Sequence, residues 1–328
     1  MDKIQRGAAI VIRDWMQLQS GDTLLIVIDR CHEREERALR EAAEGDGIHV
    51  KTIFADNPEF TVGVYFDEHA GAFDGFWHII GATTYSLVTT LAAKRAIRRG
   101  GHFLSLPLST NDGRSMLEYD FLMMDVKKSK VMAEVLMHTM RDSDHIRAVT
   151  KAGTELYFRK HRRRAGFFNG DVRDGKGYSS SSFEVYVPIE EDRTEGIGVL
   201  DGSYGYIGPV REPFRLQFEK GRITRIEDSE SGRKLSRYLD GFHDPNMRAA
   251  GEFGIGINSF SRCLGNCYIE DESAYGTFHI GLGRNLALGG RQKATGHFDI
   301  VFKEPTLFVD NRMIMQDGRI TLDDPGIY

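Results

Sequence analysis

Residues 23–28 have the sequence Thr-Leu-Leu-Ile-Val-Ile, a continuous apolar run rich in β-branched side chains. Such a run is typical of a strand that is buried on both faces of a parallel sheet. The turn sequence Ser-Gly-Asp at 20–22 precedes it, and a charged segment of helical pattern at 33–44 follows it. This strand-then-helix order favours an α/β fold for the N-terminal part of the chain.

The same alternation continues along the chain. Further strands are predicted at 48–54, 76–80 and 102–106, and helices at 4–18 and 85–98. Strands separated by helices pair in parallel through right-handed crossovers. We therefore predict an α/β domain with an open parallel sheet over residues 1–140.

The loop after the first strand has the sequence Asp29-Arg30-Cys31-His32. It lacks the G-x-G-x-x-G pattern, so nothing here supports dinucleotide binding, and we interpret this domain as a scaffold. Cys31 and His32 lie where parallel sheets often place ligands. We interpret both as exposed loop residues.

The pattern changes from Asp144 onward, where short alternating segments are separated by glycines. The chain contains 36 glycines, more than the usual share, and many fall in this part, as expected for tight turns between strands. Lys220-Gly221 between two alternating runs predicts a hairpin. We predict one β-rich (α+β) domain over residues 141–328, interrupted by a helix at 232–242.

Composition excludes several classes of protein. The 328 residues are 41% hydrophobic and 28% charged, with a net charge of −5, so neither nucleic acid nor a membrane is an expected partner. The 3 cysteines are too few for a disulfide framework, and no signal peptide is recognised at the N-terminus. We predict a cytoplasmic protein.

Four ionisable residues near the C-terminus indicate a divalent metal site. His297 and Asp299 lie two residues apart in Gly-His-Phe-Asp, so in a strand they project from the same face. His279 and Glu252 each lie in an apolar run interrupted by glycines. Burying such side chains is costly unless they are paired or bind a metal. The residues therefore predict a metal site assembled by β-structure.

The second half of the chain resembles the aminopeptidase T and aminopeptidase S metallopeptidases and, less closely, the 2,5-dihydroxypyridine dioxygenases. The segments that carry the resemblance are 144–147, 150–156, 183–188, 195–196, 218–223, 252–256, 276–280 and 296–299. The N-terminal part is similar to these proteins only in its layout.

The resemblance to the aminopeptidases implies two divalent metal ions, zinc, cobalt or manganese, and a set of five ligands. Position by position, these are Glu184, Glu252, His279, His297 and Asp299. Glu184 is included on the resemblance alone. The dioxygenases instead bind one iron through two histidines and an aspartate. They have a histidine at the position of Glu252 and lack equivalents of Glu184 and His279.

On the peptidase resemblance we predict a metal-dependent hydrolase that cleaves an amide or a small peptide. Glu184 would carry the proton to the leaving amine. The aminopeptidases have a tyrosine where this chain has Leu286, and Arg284 is predicted to replace it as the donor to the oxyanion. Asp271 and Glu272 are available to bind a substrate amino group.

Two alternatives remain open from the sequence. The chain could be a mononuclear Fe(II) dioxygenase that opens a hydroxylated pyridine with His297, Asp299 and one more ligand. It could also be a relative that binds a metal or a ligand without catalysis. The predicted partner is a small molecule or short peptide, and the resemblance implies a homodimer.

Overall fold

The computed structural model describes residues 2–55, 62–174 and 177–322. They form two compact units. The first contains the residues up to Val126 together with Phe168–Ser182, and the second contains Lys127–Phe167 and the residues from Phe183 onward. No helix among the described residues is long and apolar enough to span a bilayer.

The helices and strands are numbered in chain order. The helices are α1 (Lys3–Ile10), α2 (Glu33–Gly45), α3 (Val62–Glu68), α4 (Leu91–Arg98), α5 (Val126–Met140), α6 (Glu230–Gly241) and α7 (Tyr268–Ser273). The strands are β1 (Thr23–Ile28), β2 (His49–Phe54), β3 (His78–Ala82), β4 (His102–Ser105), β5 (His145–Val149), β6 (Glu155–Arg159), β7 (Gly166–Asn169), β8 (Tyr178–Ser180), β9 (Phe183–Pro188), β10 (Glu195–Leu200), β11 (Phe214–Glu219), β12 (Arg222–Ile226), β13 (Ala250–Gly256), β14 (Thr277–Gly283), β15 (His297–Lys303), β16 (Thr306–Val309), β17 (Arg312–Gln316) and β18 (Arg319–Ile320).

The first unit contains a five-stranded parallel sheet in the order β2-β1-β3-β4-β8. The predicted central strand, β1, is flanked by β2 and β3 and is buried from Leu24 to Ile28. One core cluster packs Val27, Ile79 and Phe103 against α4. The predicted α/β fold class with an open parallel sheet is confirmed.

Two predicted helices have different bounds in the structure. The helix predicted at 4–18 is α-helical only over Lys3–Ile10 and continues as a π-helical turn over Val11–Trp15. The helix predicted at 85–98 begins at Leu91, because the Thr90 hydroxyl accepts a hydrogen bond from the Ala93 backbone N–H and caps the helix there.

The second unit contains two antiparallel sheets. Eight strands form the first in the order β12-β11-β10-β6-β5-β16-β17-β18, and five form the second in the order β15-β14-β13-β9-β7. The predicted hairpin joins β11 to β12 through Lys220 and Gly221, which have φ angles of 47° and 75°, as a tight two-residue turn requires. The predicted β-rich character of the C-terminal part is confirmed.

The five-stranded sheet has two chemically different faces. Phe253, Phe278 and Phe302 stack in a row on one face, with ring centroids 5.6 Å and 4.6 Å apart, and Phe158 of β6 packs on this row at 5.1 Å. Because side chains alternate along a strand, the residues next to these phenylalanines project from the opposite face. That face carries the predicted metal ligands.

Candidate metal centre

The predicted ligands come from four adjacent strands of the five-stranded sheet. Glu184 lies on β9, Glu252 on β13, His279 on β14, and His297 and Asp299 on β15. Residues paired directly opposite one another in a sheet share a face. The antiparallel register therefore brings together side chains that are far apart in the sequence.

Glycines opposite the ligands make room for them. Gly254 pairs with His279, and Gly281 pairs with Glu252 on one side and Asp299 on the other. A Cβ atom at Gly254 would overlap the His279 imidazole, and one at Gly281 would lie 2.6 Å from Oε2 of Glu252. The glycines that interrupt these apolar strands thus keep the space above the sheet free for ionisable side chains.

The five side chains form two overlapping groups of potential ligands. Nε2 of His279 lies 2.8 Å from Oε2 of Glu184, and Nε2 of His297 lies 3.1 Å from Oε2 of Glu252 and 3.3 Å from Oδ2 of Asp299. The ligand atoms of Glu184, Glu252 and His279 lie within 4.8 Å of one another, as do those of Glu252, His297 and Asp299. Glu252 belongs to both groups.

Burial distinguishes His297 from the other ligands. Its side chain is 26% exposed, whereas those of Glu252 and Asp299 are 4% exposed. Glu184 and His279 are also buried. The centre is therefore closed on most sides and reachable from the side of His297, as a site with an open coordination position requires.

The mutual charges perturb the protonation of the ligands. Burial raises the pKa of Glu252 to about 7, against the opposing effect of His297. Burial alone would lower the pKa of His279, but the charge of Glu184 and a hydrogen bond with it raise that pKa to about 9. Burial alone would also lower the pKa of His297, but the charges of Asp299 and Glu252 and hydrogen bonds with them raise it well above its usual range. The neighbouring carboxylates thus favour the protonated form of both imidazoles.

The donor atoms fit a divalent metal ion. Oδ1 of Asp299 and Nδ1 of His279 are buried, and neither has a hydrogen-bond partner in the described part of the chain. A buried polar atom without a partner costs free energy, and a cation beside the Asp299 oxygen would remove that cost. Imidazole and carboxylate ligands suit iron, manganese and zinc alike. These residues can therefore hold a divalent metal, but ligand types alone leave its identity open.

Two further contacts orient the ligands. The carbonyl oxygen of Arg284 lies 2.8 Å from Nδ1 of His297, so Nδ1 donates to it and Nε2 is left to face the centre. The hydroxyl of Tyr268 on α7 donates to Oδ2 of Asp299, and its ring stacks on Tyr206 at 4.5 Å. Tyr268 was not predicted from the sequence, because no motif surrounds it.

A fourth acidic residue, Glu272 of α7, is buried near the ligands. Burial and the charges of Glu184, Asp299 and Glu252 raise the pKa of Glu272 well above its usual range. Its burial distinguishes Glu272 from an exposed acid that could bind a substrate amino group.

Arg284 and Leu286 lie on the segment that follows β14. Arg284 contacts His297 through its main chain, as described above, and Leu286 begins a short 3₁₀ turn. Asn285 organises this segment: its amide donates to the Glu191 carboxylate and to the Gly251 carbonyl. The backbone that positions His297 is thereby tied to the loop after β9.

Comparison with known proteins gives two matches at the level of sequence. The model of the NicX family, 2,5-dihydroxypyridine 5,6-dioxygenase, matches residues 118–322. A 2,5-dihydroxypyridine 5,6-dioxygenase of Pseudomonas putida is 26% identical over 214 residues, which cover 60% of this chain and 59% of that protein. The alignment thus spans about three fifths of this relative.

Two solved structures are similar in fold. The 2,5-dihydroxypyridine dioxygenase of Pseudomonas putida KT2440 superposes with a TM-score of 0.81 at 17% identity, covering 99% of this chain and 98% of that one. Wild-type AmpT from Thermus thermophilus superposes with a TM-score of 0.63 at 16% identity, covering 98% and 99%. At such identities the likeness concerns the fold alone.

These findings correct the functional prediction. The prediction of a metallo-aminopeptidase-like hydrolase is wrong, because the family match and the curated relative are dioxygenases and the aminopeptidase likeness is structural only. Two ions and the choice of zinc, cobalt or manganese find no support either. The physical reason is that hydrolases and oxygenases use the same nitrogen and oxygen ligands, so five ligand types in order do not specify a reaction.

Proposed function

Because this chain belongs to the 2,5-dihydroxypyridine 5,6-dioxygenase family, we propose that it is an Fe(II)-dependent dioxygenase that opens the ring of a hydroxylated pyridine. The observation that carries the proposal is the buried group of Glu252, His297 and Asp299, which lies within the matched residues and is reachable beside His297. One imidazole and two carboxylates would hold a single ion and leave coordination positions for the substrate and dioxygen.

The ligand set differs from the two histidines and one carboxylate of many non-haem iron oxygenases. Glu252 occupies the position where the resemblance to the dioxygenases implies a histidine. Glu252 is nevertheless compatible with iron, because carboxylate oxygens bind divalent iron and the shared position of Glu252 places it beside both imidazoles. Compared with a histidine at this position, the carboxylate of Glu252 adds a negative charge to the centre. That charge stabilises a bound metal cation.

Bound iron(II) supplies the one-electron chemistry that lets a closed-shell aromatic ring react with dioxygen. The surrounding residues bind and orient the substrate and move its proton. A ring hydroxyl of a substrate that enters beside His297 would have to lose its proton to bind a metal held there. Oε2 of Glu184 is the proposed acceptor, and its neighbour His279 balances the charge that the carboxylate carries before the transfer.

The test is anaerobic loading of the full chain with Fe(II), followed by addition of 2,5-dihydroxypyridine in air-saturated buffer. We expect oxygen uptake and a ring-opened product heavier than the substrate by both atoms of dioxygen. His297→Ala should abolish iron binding and turnover, because the proposed ligand group loses its one imidazole and the other, His279, pairs with Glu184. The matched control is His145→Ala, which removes an exposed imidazole on β5 and should retain full activity.

Substitutions of Glu252 test the proposed ligand set more directly. Glu252→His restores the ligand pattern implied by the dioxygenases and should keep iron binding, whereas Glu252→Ala should lose it. Iron-loaded protein that consumes no oxygen with any hydroxylated pyridine would overturn the proposal. Turnover that survives His297→Ala would place the reaction elsewhere and would overturn it equally.

A further inference from the structure

A second group of metal-ligand side chains lies in the first unit, directly after β1. Asp29, Cys31 and His32 each offer one ligand atom, and these atoms all lie within 4.8 Å of one another. Asp29 and His32 are partly buried, and Cys31 is exposed. Oxygen, sulfur and nitrogen donors together suit a borderline ion such as zinc, whereas magnesium and calcium prefer oxygen ligands only.

The position of this loop in the sheet is one that commonly binds ligands. In the order β2-β1-β3-β4 the chain passes from β1 to β2 on one side and returns to β3 on the other. The connections that leave β1 and β3 therefore diverge and open a crevice between the carboxyl ends of these two strands. Asp29, Cys31 and His32 follow β1 at this crevice.

Thr84, which follows β3, faces all three side chains across the crevice. Its backbone N–H donates to Oδ2 of Asp29 at 2.6 Å. Its hydroxyl oxygen lies 3.4 Å from Nε2 of His32 and 3.9 Å from Sγ of Cys31. The three potential ligands thus converge on one point instead of pointing separately into solvent.

The contacts of His32 prepare it to bind a metal. Oε2 of Glu35 lies 3.8 Å from its Nδ1, so its Nε2 is the nitrogen that faces Thr84 and Cys31. A carboxylate behind the far nitrogen is the usual support of a metal-bound histidine.

Local charge argues against an anionic ligand at the same place. Asp29 contributes a carboxylate, and Glu35 lies behind His32. The nearest cationic side chain in sequence, Arg30, lies over the ring of Phe54 at 4.9 Å. A phosphate or carboxylate ligand would meet negative charge in the crevice, whereas a cation would be stabilised.

We propose that Asp29, Cys31 and His32 bind one zinc ion, with a water molecule held by the Thr84 hydroxyl in the fourth position. Bonds of about 2.1 Å to nitrogen and oxygen and about 2.3 Å to sulfur place tetrahedral ligands roughly 3.4–3.7 Å apart. The present separations, all within 4.8 Å, exceed this range, and a rotation of the exposed Cys31 side chain would shorten them. The sequence pattern alone favoured exposed loop residues here.

Sulfur ligation separates this site from the centre of the second unit, whose ligand groups contain only carboxylates and imidazoles. The probe is Co(II), added under anaerobic, reducing conditions to the full chain, because thiolate-bound Co(II) has a charge-transfer band in the near ultraviolet. We expect the band to saturate at one thiolate-bound ion per chain and to disappear when Zn(II) displaces the cobalt.

The variants test each part of the site. Cys31→Ser should abolish the band, His32→Ala should weaken cobalt binding by about tenfold or more, and Glu35→Gln should weaken it by about tenfold through the loss of support behind His32. His49→Ala on the exposed surface of β2 and Cys263→Ser in the second unit are the matched controls and should retain the band.

The proposal is overturned by the absence of the band in the wild-type chain. It is overturned equally by a band that survives Cys31→Ser, since another thiol would then be the ligand. His297→Ala should leave the band unchanged, so failure of the iron-dependent reaction and failure of the zinc site are distinguishable. Circular dichroism of every variant confirms that the fold is retained.

Discussion

Tyr268 is the residue that connects the candidate metal centre to its supporting structure. It is buried, donates to Oδ2 of Asp299 and is held in place by stacking on Tyr206. Oδ2 is also the oxygen that lies 3.3 Å from Nε2 of His297, so the Tyr268 hydroxyl holds the carboxylate oxygen nearest that imidazole. Tyr268 is therefore a positioning residue that sets the orientation of the carboxylate.

Tyr268→Phe removes the hydroxyl and keeps the ring. We expect the affinity for Fe(II) to fall by about 10- to 100-fold, as is usual when a partner behind a metal ligand is lost. Anaerobic calorimetric titration measures it, and Tyr157→Phe, which loses an exposed hydrogen bond to Glu155, serves as the control. Equal affinity in Tyr268→Phe and wild type would show that Asp299 needs no such support.

The sequence predicts single residues only where a local pattern exists. His297 and Asp299 are recognisable because strand alternation places them on one face, and His279 and Glu252 because charge is unusual in apolar runs. Glu184 was identified by family resemblance alone. Tyr268 could not be predicted, because its partner Asp299 is 31 positions away and only the packing of α7 beside the sheet brings the two together.

Among the elements, β13 and β14 determine the space in which the ligands meet. Each ligand on these strands lies opposite a glycine of the neighbouring strand, and the ladder between the strands fixes that pairing. The glycines are thus a requirement of the site, although glycine in the interior of a strand normally weakens it.

Gly254→Ala tests this arrangement. The added methyl group would collide with the His279 imidazole, so we expect a loss of stability of about 1–3 kcal/mol and weaker metal binding. Urea unfolding and metal titration measure the two effects. Gly241→Ala at the end of α6 adds the same methyl group in open space and should be neutral or slightly stabilising. An unchanged stability in Gly254→Ala would show that His279 does not need the space opposite it.

Elements with a strong local pattern were predicted well. The buried strand β1 and the β11–β12 hairpin follow from apolar runs and turn chemistry. The first helix was predicted too long, because its apolar periodicity continues through the π-helical turn that ends it. The parallel pairing of β8 with β4 was not predicted, because it joins Phe103 to Tyr178 and no local pattern records so distant a contact.

At the scale of the whole molecule, the centre links stability to pH and metal. In the metal-free protein the pKa values of Glu252 and His279 are raised to about 7 and about 9. A group whose pKa is raised by folding binds more protons in the folded state, so its contribution to stability is lost as the pH rises through the folded value. Metal ions require the deprotonated ligands and have the opposite dependence.

We therefore expect the metal-free chain to be less stable at pH 9 than at pH 6. The increase in melting temperature on addition of Fe(II) should be larger at pH 9, with a gain in free energy of about 2.7 kcal/mol when the metal concentration is 100 times its dissociation constant. Anaerobic scanning calorimetry at both pH values is the measurement. In Glu252→Gln the pH dependence should weaken, and an equal metal effect at pH 6 and pH 9 in the wild type would contradict the expectation.

The whole-molecule prediction was right about fold class and wrong about reaction. The layout of strands and helices follows from hydrophobic patterns that are spread over the chain. The reaction depends on which metal binds and on what reaches it beside His297, and ligand types specify neither. The solved dioxygenase and AmpT structures share this fold, so the fold alone also left the reaction open.

The order of the strands along the chain has a consequence for biosynthesis. Glu184, Glu252 and His279 are translated well before His297 and Asp299, which lie on β15 near the C-terminus. A ribosome releases its product from the N-terminus, so the growing polypeptide lacks part of this ligand set until β15 has emerged. A metal ion held by all of these residues would therefore bind only after β15 has been synthesised.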